Sequence, residues 1–216
     1  MKIQLSEHFT YKKLLRFVLP SIVMMIFTSI YGVVDGLFVS NYVGKTAFAA
    51  VNLVMRLLMM LSALGFMMGT GGSAIVAKTL GQGDKERANR YFSMMVYVTV
   101  VGGVVLTVLG LVFLRPIVTA LGAEGEMIGE CLIYGRISLA SLTFFMVQNV
   151  FQSFFVAAEK PHLGLGVMVA AGVTNMVLDY LFIAILGWGI AGAAAATAAG
   201  ETVGGIVPLI YFFRKN

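Results

Sequence analysis

Long apolar stretches alternate with short polar stretches along this chain. Six stretches carry few charges and are about 20 residues or longer, the length that an α-helix needs to cross a bilayer. They cover residues 17–41, 51–77, 91–114, 131–157, 163–186 and 190–213. Because the connections are short, the pattern predicts an all-α fold, a polytopic membrane protein built as a six-transmembrane-helix bundle.

The composition supports a membrane protein and excludes several other classes. Hydrophobic residues make up 59% of the 216 residues and charged residues only 12%, which is too little charge for a soluble globular surface. The net charge of +5 does not indicate nucleic-acid binding, because the basic residues lie in a few short polar stretches. We expect the first apolar segment to serve as a signal anchor, since no small-residue cleavage site precedes it.

The basic residues fall mainly on one side of the predicted bundle. Eleven of the fifteen lie in alternate polar stretches, namely Lys2, Lys12, Lys13, Arg16, Lys78, Lys85, Arg87, Arg90, Lys160, Arg214 and Lys215. The other four are Lys45, Arg56, Arg115 and Arg136. This bias predicts that both termini are cytoplasmic. Arg56 and Arg136 lie near the outer ends of their segments, and we interpret them as interface anchors whose charged ends reach toward water.

Turn-forming residues mark the helix boundaries. The run Gly81–Asp84 predicts a turn, and Asp84 is expected to begin a short polar surface helix. A second turn at Gly187–Gly189 predicts a tight outer hairpin that places Trp188 at the membrane interface. Three prolines are expected near helix ends, where proline is best tolerated: Pro20, Pro116 and Pro208.

Three carboxylates interrupt the apolar segments, at Asp35, Asp179 and Glu201. A charge in the hydrocarbon region is costly unless it faces protein, water or a cation, so each position is a candidate functional site. Asn175 lies four residues before Asp179 and therefore shares its helical face. Counting the helical rise from the outer end of each segment places Asp35, Asp179 and Thr197 all roughly 10 Å deep.

Side chains at one depth on three helices can form a single site. Asp35, Asn175, Asp179 and Thr197 are predicted to make an oxygen cage for Na⁺ or a carboxylate pair that exchanges protons. The alternative is that each group makes its own interhelical hydrogen bond, but the sequence offers no basic partner at this depth. Glu201 either binds a cationic substrate or bonds to a neighbouring helix, and both readings stay open.

The fourth segment carries a line of polar residues, which are Tyr134, Gln148, Asn149 and Gln152. Residues 145, 148, 149 and 152 share a face that is predicted to look into the bundle interior. No zinc-protease, nucleophile-elbow or P-loop pattern occurs in the sequence, so we do not expect an enzyme or an organic cofactor.

Several local sequences resemble the multidrug and toxic compound extrusion (MATE) family and occur in the same order as in that family. They are Val33–Val39, Gly81–Asp84, Ala158–Pro161, Asn175–Ile183 and Gly189–Ala194, followed by Thr197. The resemblance implies that Asp35, Asn175, Asp179 and Thr197 form a cation or proton site. It also implies that Tyr134 and Asn149 belong to a polar network facing the cavity of the lobe.

Members of the MATE family have about twelve helices in two six-helix lobes, and the resemblance covers only the first lobe. The chain is therefore expected to be a fragment of a longer transporter or a half-length protein that pairs with another chain. The implied function is H⁺- or Na⁺-coupled antiport that exports organic, mainly cationic, compounds across the plasma membrane. The implied partners are membrane lipid, a small organic substrate and a second lobe, with no nucleic acid.

Two other functions remain possible from the sequence. A flippase for lipid-linked precursors has a related architecture, but it is expected to need a cationic cavity for pyrophosphate, whereas this interior carries more acid than base. A non-transporting membrane assembly subunit is the other alternative, and it predicts no response of Asp179 to ions. The choice between Na⁺ and H⁺ as coupling ion also stays open, because both use carboxylates.

Overall fold

A computed structural model describes residues 11–213 of the chain, without the side chains of residues 12–14, 16 and 17. It contains seven α-helices in this order: α1 (Tyr11–Phe38), α2 (Lys45–Leu61), α3 (Ala63–Gly81), α4 (Lys85–Ala120), α5 (Glu126–Ala157), α6 (Pro161–Asp179) and α7 (Gly189–Phe213). Two π-helical segments extend α1 and α6, namely Val39–Val43 and Tyr180–Ile185. No strand occurs within 11–213, and the predicted all-α membrane bundle is confirmed.

Within residues 11–213, five helical spans are long and apolar enough to cross a membrane, or six if α2 and α3 together form one span. The prediction of one continuous helix over 51–77 was wrong, because α2 and α3 meet at a bend of 42°. Ser62 lies at the break, and its hydroxyl donates to the Met59 carbonyl at 3.0 Å. A serine that bonds back to the preceding turn competes with the helical ladder and bends the helix.

Two helices extend well beyond the predicted apolar segments. Helix α1 begins at Tyr11, so Pro20 lies inside the helix rather than near its end. Helix α4 has 36 residues instead of the predicted span 91–114, because its polar first turns are also helical. Asp84 caps α4 itself, with its Oδ1 accepting the Arg87 N–H at 2.9 Å, and no separate surface helix forms there.

We expect Asp84→Ala to lower the stability of the N-terminal end of α4. The substitution removes the side-chain acceptor that caps the start of α4, and losing such a cap costs about 1 kcal/mol. Thermal unfolding of the purified chain in detergent measures the effect. Glu86→Ala is the control, because its ion pair with Arg90 is largely exposed and contributes little. Equal midpoints for the two variants would contradict the capping role.

Part of the charge pattern lies outside the described residues. Lys2, Arg214 and Lys215 are not described, nor are the side chains of Lys12, Lys13 and Arg16. The predicted orientation of the termini therefore stays a prediction.

The hairpin between the last two predicted spans is a tight turn. Gly187 and Gly189 have φ of 66° and 59°, a region that side chains disfavour, so glycine is required there. Trp188 stacks on Phe182 with ring centroids 4.7 Å apart, and the indole is about half exposed. This stack anchors the turn against the end of the π-helical segment Tyr180–Ile185.

Helix α5 is the centre of the bundle, packed against α2, α3, α4 and α7. Its large side chains Tyr134, Leu139, Leu142 and Met146 are fully buried and form the main core with α2 and α4. Helix α1 packs instead on α6, which in turn packs on α7. Residues of α1, α2, α5, α6 and α7 enclose a cavity, and the candidate site lies there.

Candidate functional site

A cavity of about 290 Å³ is lined by residues of α1, α2, α5, α6 and α7. Asp35 and Glu201 are the charged residues on its wall, and no Lys, Arg or His within 11–213 lines it. Polar lining comes from Tyr31, Asn52, Gln148, Asn175 and Thr197, and apolar lining includes Phe48, Met55, Met59 and Phe145. The described wall of the cavity is therefore acidic and partly aromatic.

Asp35 and Asp179 both lie next to a π-helical segment. Asp179 is the last residue of α6, immediately before Tyr180–Ile185, and Asp35 precedes Val39–Val43 by four residues. The two π-helical segments contact each other, so they bring the two aspartates together at one level of the bundle. Single π-helical turns are often found at functional sites, because they change the direction in which neighbouring side chains point.

The two carboxylates are buried and lie close enough to interact directly. Asp179 is 0% exposed and Asp35 is 9% exposed. Oδ1 of Asp35 and both carboxylate oxygens of Asp179 have no hydrogen-bond partner among the described residues. Two buried carboxylates in contact are unfavourable when both are charged, so the pair requires a bound cation or a proton.

Asn175 and Thr197 supply further oxygens beside this pair. Asn175 lies one turn before Asp179 and is 4% exposed, and both it and Thr197 line the cavity together with Asp35. The Asn175 Oδ1 and the Thr197 Oγ1 also lack partners within the described chain. Tyr134 is fully buried behind Thr197, close to Ser138, and its hydroxyl is likewise unpaired in the described structure.

The donor set suits a hard monovalent cation or protons. Carboxylate, amide and hydroxyl oxygens are the ligands that hard cations prefer, and these four side chains all offer unpaired oxygens. The described residues contain no group of three or more His, Cys, Asp or Glu side chains placed to hold a metal ion. The arrangement therefore differs from a carboxylate-rich divalent site and has two acids with two neutral oxygen ligands.

Of the two readings that the sequence left open for Glu201, the bond to a neighbouring helix is present, and binding of a cationic substrate stays a prediction. Glu201 lines the cavity, and its Oε2 also accepts a hydrogen bond from Ser141 Oγ on α5 at 2.5 Å. Gln148 lines the same cavity, with Nε2 donating to Met168 Sδ at 3.4 Å.

The other members of the predicted polar line do not line the cavity. Asn149 is buried with an unpaired Nδ2 among the described residues, and Gln152 donates to Met24 Sδ on α1 at 3.3 Å. Tyr134 is buried behind the wall. The predicted face of α5 thus contributes Phe145 and Gln148 to the cavity, whereas Asn149 and Gln152 make contacts elsewhere.

Sequence reasoning missed two residues of this region. Tyr31 lines the cavity one turn before Asp35 on α1, a spacing that could have been read from the sequence. Ser141 gave no such signal, because its contact with Glu201 joins positions 60 residues apart. Arg56 and Arg136 are exposed, in keeping with a role as interface anchors.

The fold and the cavity define a class of protein: a polytopic helical membrane bundle with unpaired acids around an internal cavity, as in secondary transporters. The MatE family model matches residues 20–181, which is most of the chain. The chain belongs to the MatE family, and the family predicted from its local sequences is confirmed.

Solved and curated relatives agree with this assignment. The chain is 28% identical over 211 residues to the multidrug export protein MepA of Staphylococcus haemolyticus (strain JCSC1435), covering 98% of this chain and 47% of that protein. It is similar to a crystal structure of MATE in the bent conformation, with a TM-score of 0.86 and 29% identity over 95% of this chain and 46% of that one.

A second solved structure is an outward-facing conformation of a multidrug resistance MATE family transporter. It gives a TM-score of 0.87 and 29% identity, covering 93% of this chain and 44% of that one. The chain spans about half the length of the curated relatives it matches. The similarity therefore corresponds to one lobe of a longer transporter.

Proposed function

We propose that this chain forms the N-terminal lobe of a cation-coupled antiporter that exports organic, mainly cationic, compounds. In this proposal Asp35, Asn175, Asp179 and Thr197 bind the coupling cation, which is Na⁺ or H⁺. The observation that carries the proposal is the pair of neighbouring, buried carboxylates with oxygens that lack hydrogen-bond partners in the described chain. The lobe is placed in the cell membrane with both termini in the cytoplasm, as the charge pattern predicts.

The site offers a simple coupling mechanism. A bound cation neutralises the carboxylate pair, whereas its release leaves a negative cavity that favours a cationic substrate. Each ligand then favours a different state of the lobe, which is the requirement for exchange. The π-helical segments beside Asp35 and Asp179 are the places where a change of helical winding would move both carboxylates together.

Alternating access needs a second wall. Rocking one helical bundle against another opens the cavity to either side in turn, and a single lobe offers only one bundle. We therefore propose a second six-helix lobe as the partner, supplied by the same longer chain or by a pairing chain. The relatives support this proposal, because they are about twice as long and are described as multidrug export proteins.

Transport in vesicles tests the proposed function. The lobe, joined to its second half, is reconstituted into lipid vesicles that are loaded with ethidium. An inward gradient of Na⁺ or H⁺ is then imposed across the vesicle membrane. Ethidium movement driven by one of these gradients is expected. Movement of a lipid-linked pyrophosphate instead would support a flippase. The acidic residues on the described wall of the cavity favour an antiporter over a flippase, because pyrophosphate binding needs basic residues.

We expect Thr197→Val to weaken binding of the coupling cation by roughly tenfold, the effect of losing about one oxygen ligand. Valine keeps the shape of threonine but removes the unpaired Oγ1. The concentration of Na⁺, or the pH, that half-stabilises the purified chain against heat measures the change. Thr202→Val on the same helix is the control, because the Thr202 hydroxyl bonds to Ala198 in its own helix. An unchanged half-stabilising Na⁺ concentration or pH in Thr197→Val would show that Thr197 does not bind the cation.

A further inference from the structure

Glu201 is the cavity carboxylate that the proposed cation site does not use. It lies on α7 one turn after Thr197 and is half-buried. Its Oε2 accepts the hydrogen bond from Ser141 Oγ, so Oε1 remains for a ligand in the cavity that Glu201 lines. Glu201 is therefore a separate acceptor on the wall formed by α5 and α7.

The protein satisfies the charge of Glu201 only in part. Ser141 Oγ also lies 3.0 Å from the Ser138 carbonyl oxygen, and a hydroxyl has one proton to donate. The Ser141 hydroxyl can donate to Glu201 only when it does not donate to the Ser138 carbonyl. Because the described lining contains no Lys, Arg or His, the protein offers Glu201 no cationic partner there. A half-buried carboxylate in this position is stabilised when a cation binds to it.

Gln148 provides a second, independent acceptor beside Glu201. Its side chain is 8% exposed, lines the cavity, and has an Oε1 with no partner among the described residues. Gly204 packs directly on this amide, since a Cβ added there would lie 2.5 Å from Oε1. Gly204 follows Glu201 by three residues and shares its helical face, so the amide and the carboxylate face the same region of the cavity.

We propose that Glu201 and Gln148 form a subsite for the head group of an organic cation that carries N–H donors, such as an ammonium or amidinium group. Glu201 neutralises the charge and accepts one N–H, and the Gln148 Oε1 accepts another. The rings of Tyr31 and Phe145 line the same cavity and contact the apolar part of the ligand. The binding site stands on its own geometry, but its place in an export cycle rests on the proposed function.

This subsite uses oxygens other than those of Asp35 and Asp179. A coupling cation and an organic cation therefore repel each other through their charges, but they do not compete for the same protein oxygens. Na⁺ is expected to weaken organic-cation binding without displacing it completely. This separation also allows the two sites to be tested one at a time.

Two probes of similar size test the subsite on the purified chain. Benzamidinium carries a charge and several N–H donors, whereas benzyltrimethylammonium carries the charge without donors. The concentration of each probe that half-stabilises the chain against heat is measured. Wild-type chain is expected to prefer benzamidinium. Glu201→Gln should weaken both probes by roughly tenfold or more, as expected for losing a charge-assisted interaction.

Gln148→Leu should weaken benzamidinium severalfold and leave benzyltrimethylammonium unchanged, because only the first probe donates to the amide. Glu124→Gln is the charge control, since Glu124 is exposed in the loop before α5. Wild-type affinity for benzamidinium in Glu201→Gln would overturn the proposal. If that variant does not fold, Gln148→Leu is the test. An equal change in its affinity for the two probes would overturn the proposal.

Failure of the subsite and failure of the proposed function give different results. If Glu201→Gln binds both probes normally while Na⁺ or H⁺ still stabilises the wild-type chain through Asp179, only the subsite is wrong. If no inorganic cation affects the wild-type chain but probe binding depends on Glu201, the subsite stands and the coupling proposal is wrong.

Discussion

Asp179→Asn is expected to abolish the stabilisation of this lobe by its coupling cation. The substitution keeps the size of the side chain but removes one of the two neighbouring carboxylates, so the cage loses both charge and an oxygen ligand. A cation concentration of 100 times the dissociation constant adds about 2.7 kcal/mol to the free energy of unfolding. That whole increment should disappear in the variant. Thermal unfolding with and without Na⁺, from acidic to alkaline pH, measures it.

The pH dependence has a defined direction. Protons and Na⁺ compete for the same carboxylate oxygens, so the Na⁺ concentration needed for half-stabilisation should rise as the pH falls. Asp35→Asn should behave like Asp179→Asn. Asp84→Asn is the matched control, since asparagine caps a helix as well as aspartate does. A normal Na⁺ or pH response in both cavity variants would exclude a joint site.

Gly65→Ala is expected to cause a large loss of stability for so small a substitution. A Cβ on Gly65 would lie 2.9 Å from the Met146 Cα and 3.0 Å from its carbonyl oxygen. These are backbone atoms of the central helix α5, so they cannot rotate away, and overpacking of this kind costs about 1–3 kcal/mol. The close approach of α3 to α5 depends on this glycine.

Gly71→Ala is the matched control on the same helix. A Cβ there meets no atom within 4 Å, so alanine should be neutral or stabilise α3 by about 0.5–1 kcal/mol through its higher helix propensity. Unfolding of both variants in detergent separates steric overlap from propensity. A similar change in stability for both variants would show that the contact at Gly65 is not tight.

The architecture was largely predictable because hydrocarbon length and helical rise are fixed quantities. Apolar segments placed the spans, and counting depth along them put Asp35, Asp179 and Thr197 near one level. In the structure Asp35 lies beside Asp179 and lines a cavity together with Thr197. The break at Ser62 was not predictable in this way, because the helices on both sides of it are apolar. Apolarity marks the part of a helix in the hydrocarbon and not its ends, so the polar first turns of α4 were missed.

The details of the cavity depend on tertiary contacts that one segment does not reveal. Gln148 and Asn149 are neighbours on one predicted face, yet only Gln148 lines the cavity. The bond between Ser141 and Glu201 requires α5 and α7 to lie side by side. The π-helical segments after Asp35 and Asp179 have unlike sequences, VSNYV and YLFIAI, so no shared pattern predicts their altered winding, and they pack against each other.

Counting the cations bound to the purified chain tests most directly whether Asp35 and Asp179 hold one coupling ion together. Radioactive Na⁺ at equilibrium, and proton uptake measured in weakly buffered solution, give the number per chain. We predict about one Na⁺ or one exchangeable proton in the wild-type chain and none of that binding in the Asp35→Asn/Asp179→Asn double variant. Undiminished binding in the double variant would contradict a joint site.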